Sequence, residues 1–155
     1  MKVVIFYDDS MNDEVKKIEG VVASYACDAI SCNDKNISFL QSSTKKPNSI
    51  LQDATHIIFL FNKTILTNIN FAFFLGYALE KSIPALLVCN SPDVNLPSEW
   101  SGLFTQLDCQ SFAKSFEIEV KNFKRNEAQQ IAKKRILEKG YALFNSNYVQ
   151  AVKNN

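Results

Sequence analysis

The chain has 155 residues, of which 46% are hydrophobic and 21% charged, a composition typical of one globular domain rather than of a disordered segment. Lysine and arginine total 17 and aspartate and glutamate total 16, so the net charge of +1 gives no reason to expect binding to nucleic acid or to an anionic membrane. The N-terminus lacks a signal-peptide pattern and no apolar run approaches about 20 residues, so we expect a cytoplasmic protein.

Five segments predict β-strands. Three of them are short, continuous apolar runs rich in β-branched or aromatic residues, which is typical of central strands in a parallel sheet. The other two segments match this strand pattern less well. In chain order the predicted strands are Lys2–Tyr7, Cys27–Ser31, Thr55–Phe61, Pro84–Cys89 and Thr105–Cys109.

The segments between the strands predict helices. Asn12–Ala26 repeats apolar residues every three or four positions, and Asn68–Lys81 begins at a good capping residue and ends before Pro84. A long helix follows Ser111. We expect Gly140 to end it, which would divide the chain into an α/β domain over residues 1–140 and the start of a further helical region over 141–155. Glycine is costly inside a helix, so Gly76 predicts a close approach of the second helix to the sheet.

Alternating strands and helices predict an α/β fold: a flavodoxin-like, doubly wound, five-stranded parallel sheet with helices on both faces and a long C-terminal helix. In such sheets ligands bind beyond the carboxyl ends of the strands. That rule selects three places, which are Tyr7–Ser10, Asn62–Asn70 and Asn90–Asp93.

The segment Ser49–Cys89 resembles nucleoside 2-deoxyribosyltransferases and the related TIR domains. The resemblance is most specific at Gly76-Tyr77-Ala78, which is followed by a basic residue, Pro84 and a buried strand, and the opening strand and helix also resemble those of TIR domains. It implies an N-glycosidic chemistry in which a glutamate attacks the sugar. In this chain Phe74 stands at the glutamate's position, and the family's two other acidic positions fall on Asn68 and near Asn62.

Phenylalanine and asparagine cannot replace a carboxylate that stabilises an oxocarbenium-like centre and forms a covalent ester. We therefore expect a non-catalytic module that binds a nucleoside or nucleotide or interacts with proteins, with no catalytic residue and no cofactor. The ligand-binding residues that we predict are Tyr7, Asp8, Asn62, Asn68, Asn70 and Phe74.

Other interpretations stay open. An N-glycosidic-bond-cleaving enzyme, either a nucleoside deoxyribosyltransferase or an NAD glycohydrolase, would use Asp8 or Asp9, although adjacent strand-end acids more often form turns and caps. Asn68 and Asn70 can equally cap their helix, and Phe74 can equally lie in the core. A flavin carrier ranks last, because acidic residues follow the first strand where a phosphate loop would be needed.

Two further features concern partners and metals. The four cysteines form no C-x-x-C pair and His56 is the only histidine, so we expect no metal site. Cys89 lies in an apolar run and is expected to be a buried structural thiol, whereas Cys27 and Cys32 could meet only in an oxidising compartment, which nothing else in the sequence indicates. The terminal stretch Tyr148–Asn155 resembles the first helix of an ankyrin repeat array. That resemblance implies protein partners bound through a downstream repeat region, and self-association is a further possibility.

Overall fold

A parallel sheet forms the centre of the fold. The computed structural model describes residues 1–33, 50–62, 68–89 and 105–153. The sheet has the order β2-β1-β3-β4-β5, and each neighbouring pair is parallel. The α/β class, the parallel sheet and the long C-terminal helix are confirmed. The strands are β1 (Lys2–Tyr7), β2 (Asp28–Asn33), β3 (His56–Phe61), β4 (Ala85–Cys89) and β5 (Thr105–Asp108).

The helix α2 (Ile69–Glu80) packs on one face of this sheet. All six residues of β3 are buried, as expected for a continuous apolar run between two neighbouring strands. Alternate residues of each strand point to the same face, and those on the α2 side form one cluster with the buried residues of the helix. The members from β1, β3 and α2 are Val4, Phe6, Ile57, Phe59, Phe61, Phe71, Phe74, Leu75 and Ala78.

The helix α1 (Asn12–Ser24) buries Val15, Ile18 and Val22, which recur at the spacing of one helix face. It contacts β1 and β2, and its buried residues do not belong to the α2 cluster. The alternate residues of β1 point away from that cluster, so α1 packs on the opposite face of the sheet.

The helix α3 spans Phe112–Lys153 without interruption. Its first turns bury Phe112 and Phe116, whose rings stack with centroids 5.2 Å apart. By its contacts the chain divides into two units, Met1–Phe116 and Glu117–Asn155. In the described part of the chain, no helix has the length and apolar character needed to cross a membrane.

Two expectations about glycine are wrong. The helix continues through Gly140, which does not adopt the left-handed conformation of a C-terminal cap, and a single glycine costs only about 1 kcal/mol inside a helix. Gly76 makes no close approach to the sheet. It lies on the exposed side of α2, where a Cβ would meet no atom within 4 Å.

Candidate functional site

The carboxyl ends of β1 and β3 lie where a ligand-binding crevice is expected in this topology. β1 pairs with β2 on one side and with β3 on the other, so the chain leaves these two neighbouring strands in opposite directions. Ligands bind at such a switch point. The described polar residues here form what we call the edge cluster: Asp8, Asp9, Ser10, Asn33 and Asn62.

Asp8 begins the turn that follows β1. It is buried and precedes a short 3-10 helix over Asp9–Met11, for which it is the N-cap. Its carboxylate accepts a hydrogen bond from the Ser10 amide at 2.7 Å and another from the Ser10 hydroxyl. This geometry matches the turn-and-cap interpretation of the acid, because the side chain satisfies a backbone donor that the helix leaves open.

Asp9 joins the turn to the neighbouring strand. Its carboxylate accepts a hydrogen bond from the side-chain amide of Asn33, the last residue of β2, and Asn33 is itself buried. The Asp9 backbone carbonyl also accepts a hydrogen bond at 2.7 Å from the side-chain amide of Asn12, at the start of α1. Both acids after β1 therefore hold the local loop in place.

Asn62 connects the end of β3 to the same turn. Its side-chain amide donates a hydrogen bond to the Ser10 hydroxyl at a distance of 2.5 Å. Ser10 consequently bridges Asp8 and Asn62 across the switch point. Of the six predicted binding residues, the structure brings these two together, and Tyr7 lies beside them as the half-buried last residue of β1.

Asn68 caps α2. Its side-chain oxygen accepts hydrogen bonds from the backbone amides of Asn70 and Phe71 at 2.8 and 3.2 Å, which satisfies two of the open donors of the first turn. Asn70 is half-buried in that first turn. The capping interpretation therefore holds for Asn68. The third place selected from the sequence, Asn90–Asp93, lies outside the described residues.

Phe74 lies in the core and not in the crevice. Its side chain is fully buried, and its ring centroid lies 4.9 Å from that of Phe6. The core interpretation holds for this residue, because a ring enclosed between helix and sheet presents no surface to a ligand. Its neighbour Phe73 is 39% exposed on the outer side of the helix.

Sequence reasoning missed Ser10 and Asn33 as parts of the site. β2 extends to Asn33, two residues beyond the predicted Ser31, and this places the asparagine level with Tyr7 of β1. A longer second strand would have indicated Asn33, since every polar residue at the carboxyl end of a strand next to β1 is a candidate. Ser10 was included in the predicted loop but was given no role.

The cluster offers uncharged hydrogen-bonding groups around two engaged carboxylates. Amide and hydroxyl groups can donate hydrogen bonds to, or accept them from, the edges of a base or the hydroxyls of a sugar.

Among the described residues, no group of three or more His, Cys, Asp or Glu side chains is placed to hold a metal ion. The four cysteines form no disulfide with one another, and Cys27, Cys32 and Cys89 are buried.

Comparison with known proteins finds one informative relative. No family model matches the chain. A Treponema pallidum (strain Nichols) protein named as an ankyrin repeat-containing protein is 28% identical over 152 residues, which cover 98% of this chain and 51% of that protein. The chain thus spans about half the length of the relative. Neither finding supports the resemblance to deoxyribosyltransferases and TIR domains, which stays a prediction.

Proposed function

We propose that the chain is a non-catalytic binding module whose crevice between β1 and β3 takes an uncharged polar ligand such as a nucleoside or the nucleoside part of a nucleotide. One observation carries the proposal: both carboxylates beside the crevice accept hydrogen bonds from neighbouring residues. Asp8 accepts from Ser10 of the same turn, and Asp9 accepts from Asn33 at the end of β2. A carboxylate that accepts hydrogen bonds in this way is a weaker nucleophile than an unengaged one.

The sequence pattern supports the same proposal. In the deoxyribosyltransferase-like alignment, the nucleophile's position is Phe74, which is buried in the core. The first aligned acidic position is Asn68, which caps α2. Neither residue can supply the charge that N-glycosidic cleavage needs.

An activity assay tests whether the module is non-catalytic. Purified protein is incubated with deoxynucleosides plus free base and, separately, with NAD, and we expect no turnover. Turnover that is lost in Asp8→Asn or Asp9→Asn would contradict the proposal and establish the alternative, an N-glycosidic-bond-cleaving enzyme that uses one of these acids.

A thermal-shift screen of nucleosides, nucleotides and NAD at millimolar concentration tests whether the module binds such a ligand. A ligand at 100 times its dissociation constant stabilises the folded state by about 2.7 kcal/mol. We expect Asn62→Ala to reduce the ligand-induced shift. Thr55→Ala is the matched control: it loses hydrogen bonds to Lys2 at the opposite edge of the sheet and should keep the shift. If no compound raises the melting temperature, the ligand proposal fails.

Protein interaction is the second candidate function. The relative's name includes ankyrin repeats, and stacked helical repeats form extended surfaces that bind other proteins. By analogy, the α/β domain would act as the sensor or adaptor part of such a protein. Comparing the proteins captured by the 155-residue chain with those captured by a chain extended through any repeat region would test this. Identical partner sets would argue against a role for the repeats.

A further inference from the structure

The outward side of α2 is apolar and exposed. The exposed residues of this helix are Ile69, Ala72, Phe73, Gly76, Leu79 and Glu80. The three largest apolar side chains among them, Ile69, Phe73 and Leu79, are 80%, 39% and 46% exposed. A helix that is apolar on all sides is normally buried on all sides, whereas α2 packs only one side on the sheet. Its outward side therefore has the character of an interaction surface.

Four of these exposed residues have the spacing and the composition of a coiled-coil seam. The steps along the helix are three, four and three residues, which keeps side chains on one line in a left-handed pair of helices. None of the four is polar. The residues at the two ends are large and the two in the middle are small. We define the α2 seam as Ile69, Ala72, Gly76 and Leu79.

The α2 seam is unchanged when it is read in reverse. Its steps stay three, four and three, and its order of side chains stays large, small, small and large. A two-fold interface brings the same patch of two subunits together, so that patch must complement itself. We propose that α2 pairs antiparallel with α2 of a second copy of this chain, about a two-fold axis level with Phe74. This pairing goes beyond the proposed function and does not depend on the ligand crevice.

In the antiparallel pair, large residues meet large ones and small residues meet small ones. Ile69 and Leu79 both lie five positions from the axis, so Ile69 is level with the partner's Leu79. Ala72 and Gly76 both lie two positions from it, so Ala72 is level with the partner's Gly76. The small pair lets the two helices approach closely at the centre. Phe73 lies one position from the axis, so the two Phe73 rings border the same side of the seam and can contact each other.

The pairing gives Gly76 a packing role. Glycine is unfavourable inside a helix, and within one copy no atom lies within 4 Å of the place that a Cβ at this position would take. The single chain therefore offers no steric reason for this glycine. Against a second α2 the partner's Ala72 lies over that space, and the absence of a Cβ permits the close approach.

The charges of α2 favour the antiparallel arrangement of two copies. Glu80 is the only charged residue of the helix, and the first turn contains no acidic residue. Glu80 lies six positions from the axis and is therefore level with the partner's Asn68, at the positive N-terminal end of the partner's helix. A parallel pair would instead place Glu80 near Glu80, and like charges close together are unfavourable.

The existing contact of Glu80 does not compete strongly with this pairing. Its carboxylate lies 3.1 Å from the Lys81 ammonium group of the same chain, and both side chains are largely exposed. Exposed ion pairs of this kind contribute little to stability. Glu80 can therefore turn toward the partner's helix N-terminus at little cost.

The length of α2 limits the strength of the dimer. The helix has 12 residues, which corresponds to about 18 Å. One pair of helices of this length buries less than the roughly 1,200 Å² at which stable interfaces begin. We therefore expect a weak, reversible dimer.

Sedimentation velocity of the 155-residue chain over a wide concentration range tests the proposal. We expect a monomer–dimer equilibrium. Gly76→Glu should weaken dimerisation about ten-fold or more, because it places two like charges in the apolar centre of the interface. Glutamate is a better helix former than glycine, so the folded monomer should be at least as stable as the parent and the loss cannot be ascribed to unfolding.

Matched controls separate the α2 seam from other exposed positions. Gly20→Glu makes the same substitution in α1, where the space is equally open, and should dimerise as the parent does. Leu79→Ala should weaken the dimer several-fold, whereas Ile136→Ala, which removes a more exposed apolar side chain from α3, should not. Circular dichroism checks that each variant keeps its helices.

Glu80→Gln tests the orientation of the two helices. It should weaken an antiparallel dimer about two-fold, because it removes a charge beside the partner's helix N-terminus. In a parallel pair the same substitution would strengthen dimerisation, because it removes a repulsion between like charges.

Three results would overturn the proposal. The parent chain would be monomeric at all concentrations, which would indicate a different partner for this side of α2. Gly76→Glu would dimerise as tightly as Gly20→Glu, which would place the interface elsewhere. Glu80→Gln would strengthen dimerisation, which would indicate a parallel pair.

Discussion

The side-chain amide of Asn62 lies 2.5 Å from the hydroxyl of Ser10 and donates a hydrogen bond to it. The two residues are 52 positions apart in the chain, one after β3 and the other in the turn after β1. Because Ser10 also donates to Asp8, a single hydroxyl connects the two loops that border the crevice. The geometry of the candidate site therefore depends on this contact.

We expect Asn62→Ala to lower the free energy of unfolding by about 0.5–1.5 kcal/mol, the usual net value of a hydrogen bond. Ser10→Ala should cost more, because it loses the bonds to Asp8 and Asn62 together. Urea unfolding of both single variants and of the double variant measures the coupling, which we expect to be about 0.5–1 kcal/mol. Additive effects would show that the contact does not contribute.

The cap of α2 gives a second prediction. Asn68→Ala removes the acceptor for the amides of Asn70 and Phe71, and should lower the free energy of unfolding by about 1 kcal/mol. Asn68→Asp is the control, because aspartate caps equally well and its charge is favourable at a helix N-terminus. Thermal melts of both variants test this, and equal loss in the two would mean that the cap is not the reason for the asparagine.

Gly76 gives a third prediction, which is the opposite of what a close approach of this residue to the sheet would imply. Because a Cβ at this position meets open space, Gly76→Ala should raise the free energy of unfolding by up to about 1 kcal/mol through helix propensity alone. Gly20→Ala in α1, where space is equally open, should behave in the same way. A Gly76→Ala variant less stable than the parent would restore the close-approach hypothesis.

His56 gives a prediction about pH. Burial lowers the pKa of this imidazole below its usual 6.5, and the positive charge of the amino terminus adds to the effect. The folded state thus binds a proton less readily than the unfolded state, so the histidine favours folding above about pH 6.5 and progressively less as the pH falls below that value.

His56 is the only histidine of the chain, so its contribution can be isolated. Urea unfolding of the parent between pH 5 and 8 should show stability decreasing below about pH 6.5. In His56→Gln that decrease should be smaller, since the substituted side chain does not titrate. An identical pH dependence in the two proteins would show that the histidine does not couple to folding.

The central architecture could be predicted because it depends on local patterns. The predicted strand Lys2–Tyr7 coincides with β1, since a continuous run of apolar residues suits a strand that is buried on both faces. The N-cap of α2 at Asn68 was likewise predictable from the capping preference of asparagine. The end of β2 was not predictable, because the polar residues of this outer strand show no clear periodicity.

The orientation of α2 was harder to predict for a physical reason. Its residues are apolar on nearly all sides, so periodicity does not show whether Gly76 or Phe74 faces the sheet.

The edge cluster was only partly predictable. The rule for strand ends indicates Asp8 and Asn62, but the choice of Ser10 as their common partner depends on side-chain positions that no local pattern specifies.

The pairing of β1 with β3 has a consequence for the order in which the protein folds. The Thr55 hydroxyl accepts from the Lys2 amide and donates to the Lys2 carbonyl, although 53 residues separate them. During synthesis β1 therefore emerges long before β3, its neighbour on one side, exists. Contacts of such high sequence separation slow folding, and an apolar strand with one unpaired edge is open to aggregation meanwhile. We infer that the sheet assembles late, only after His56–Phe61 has been made.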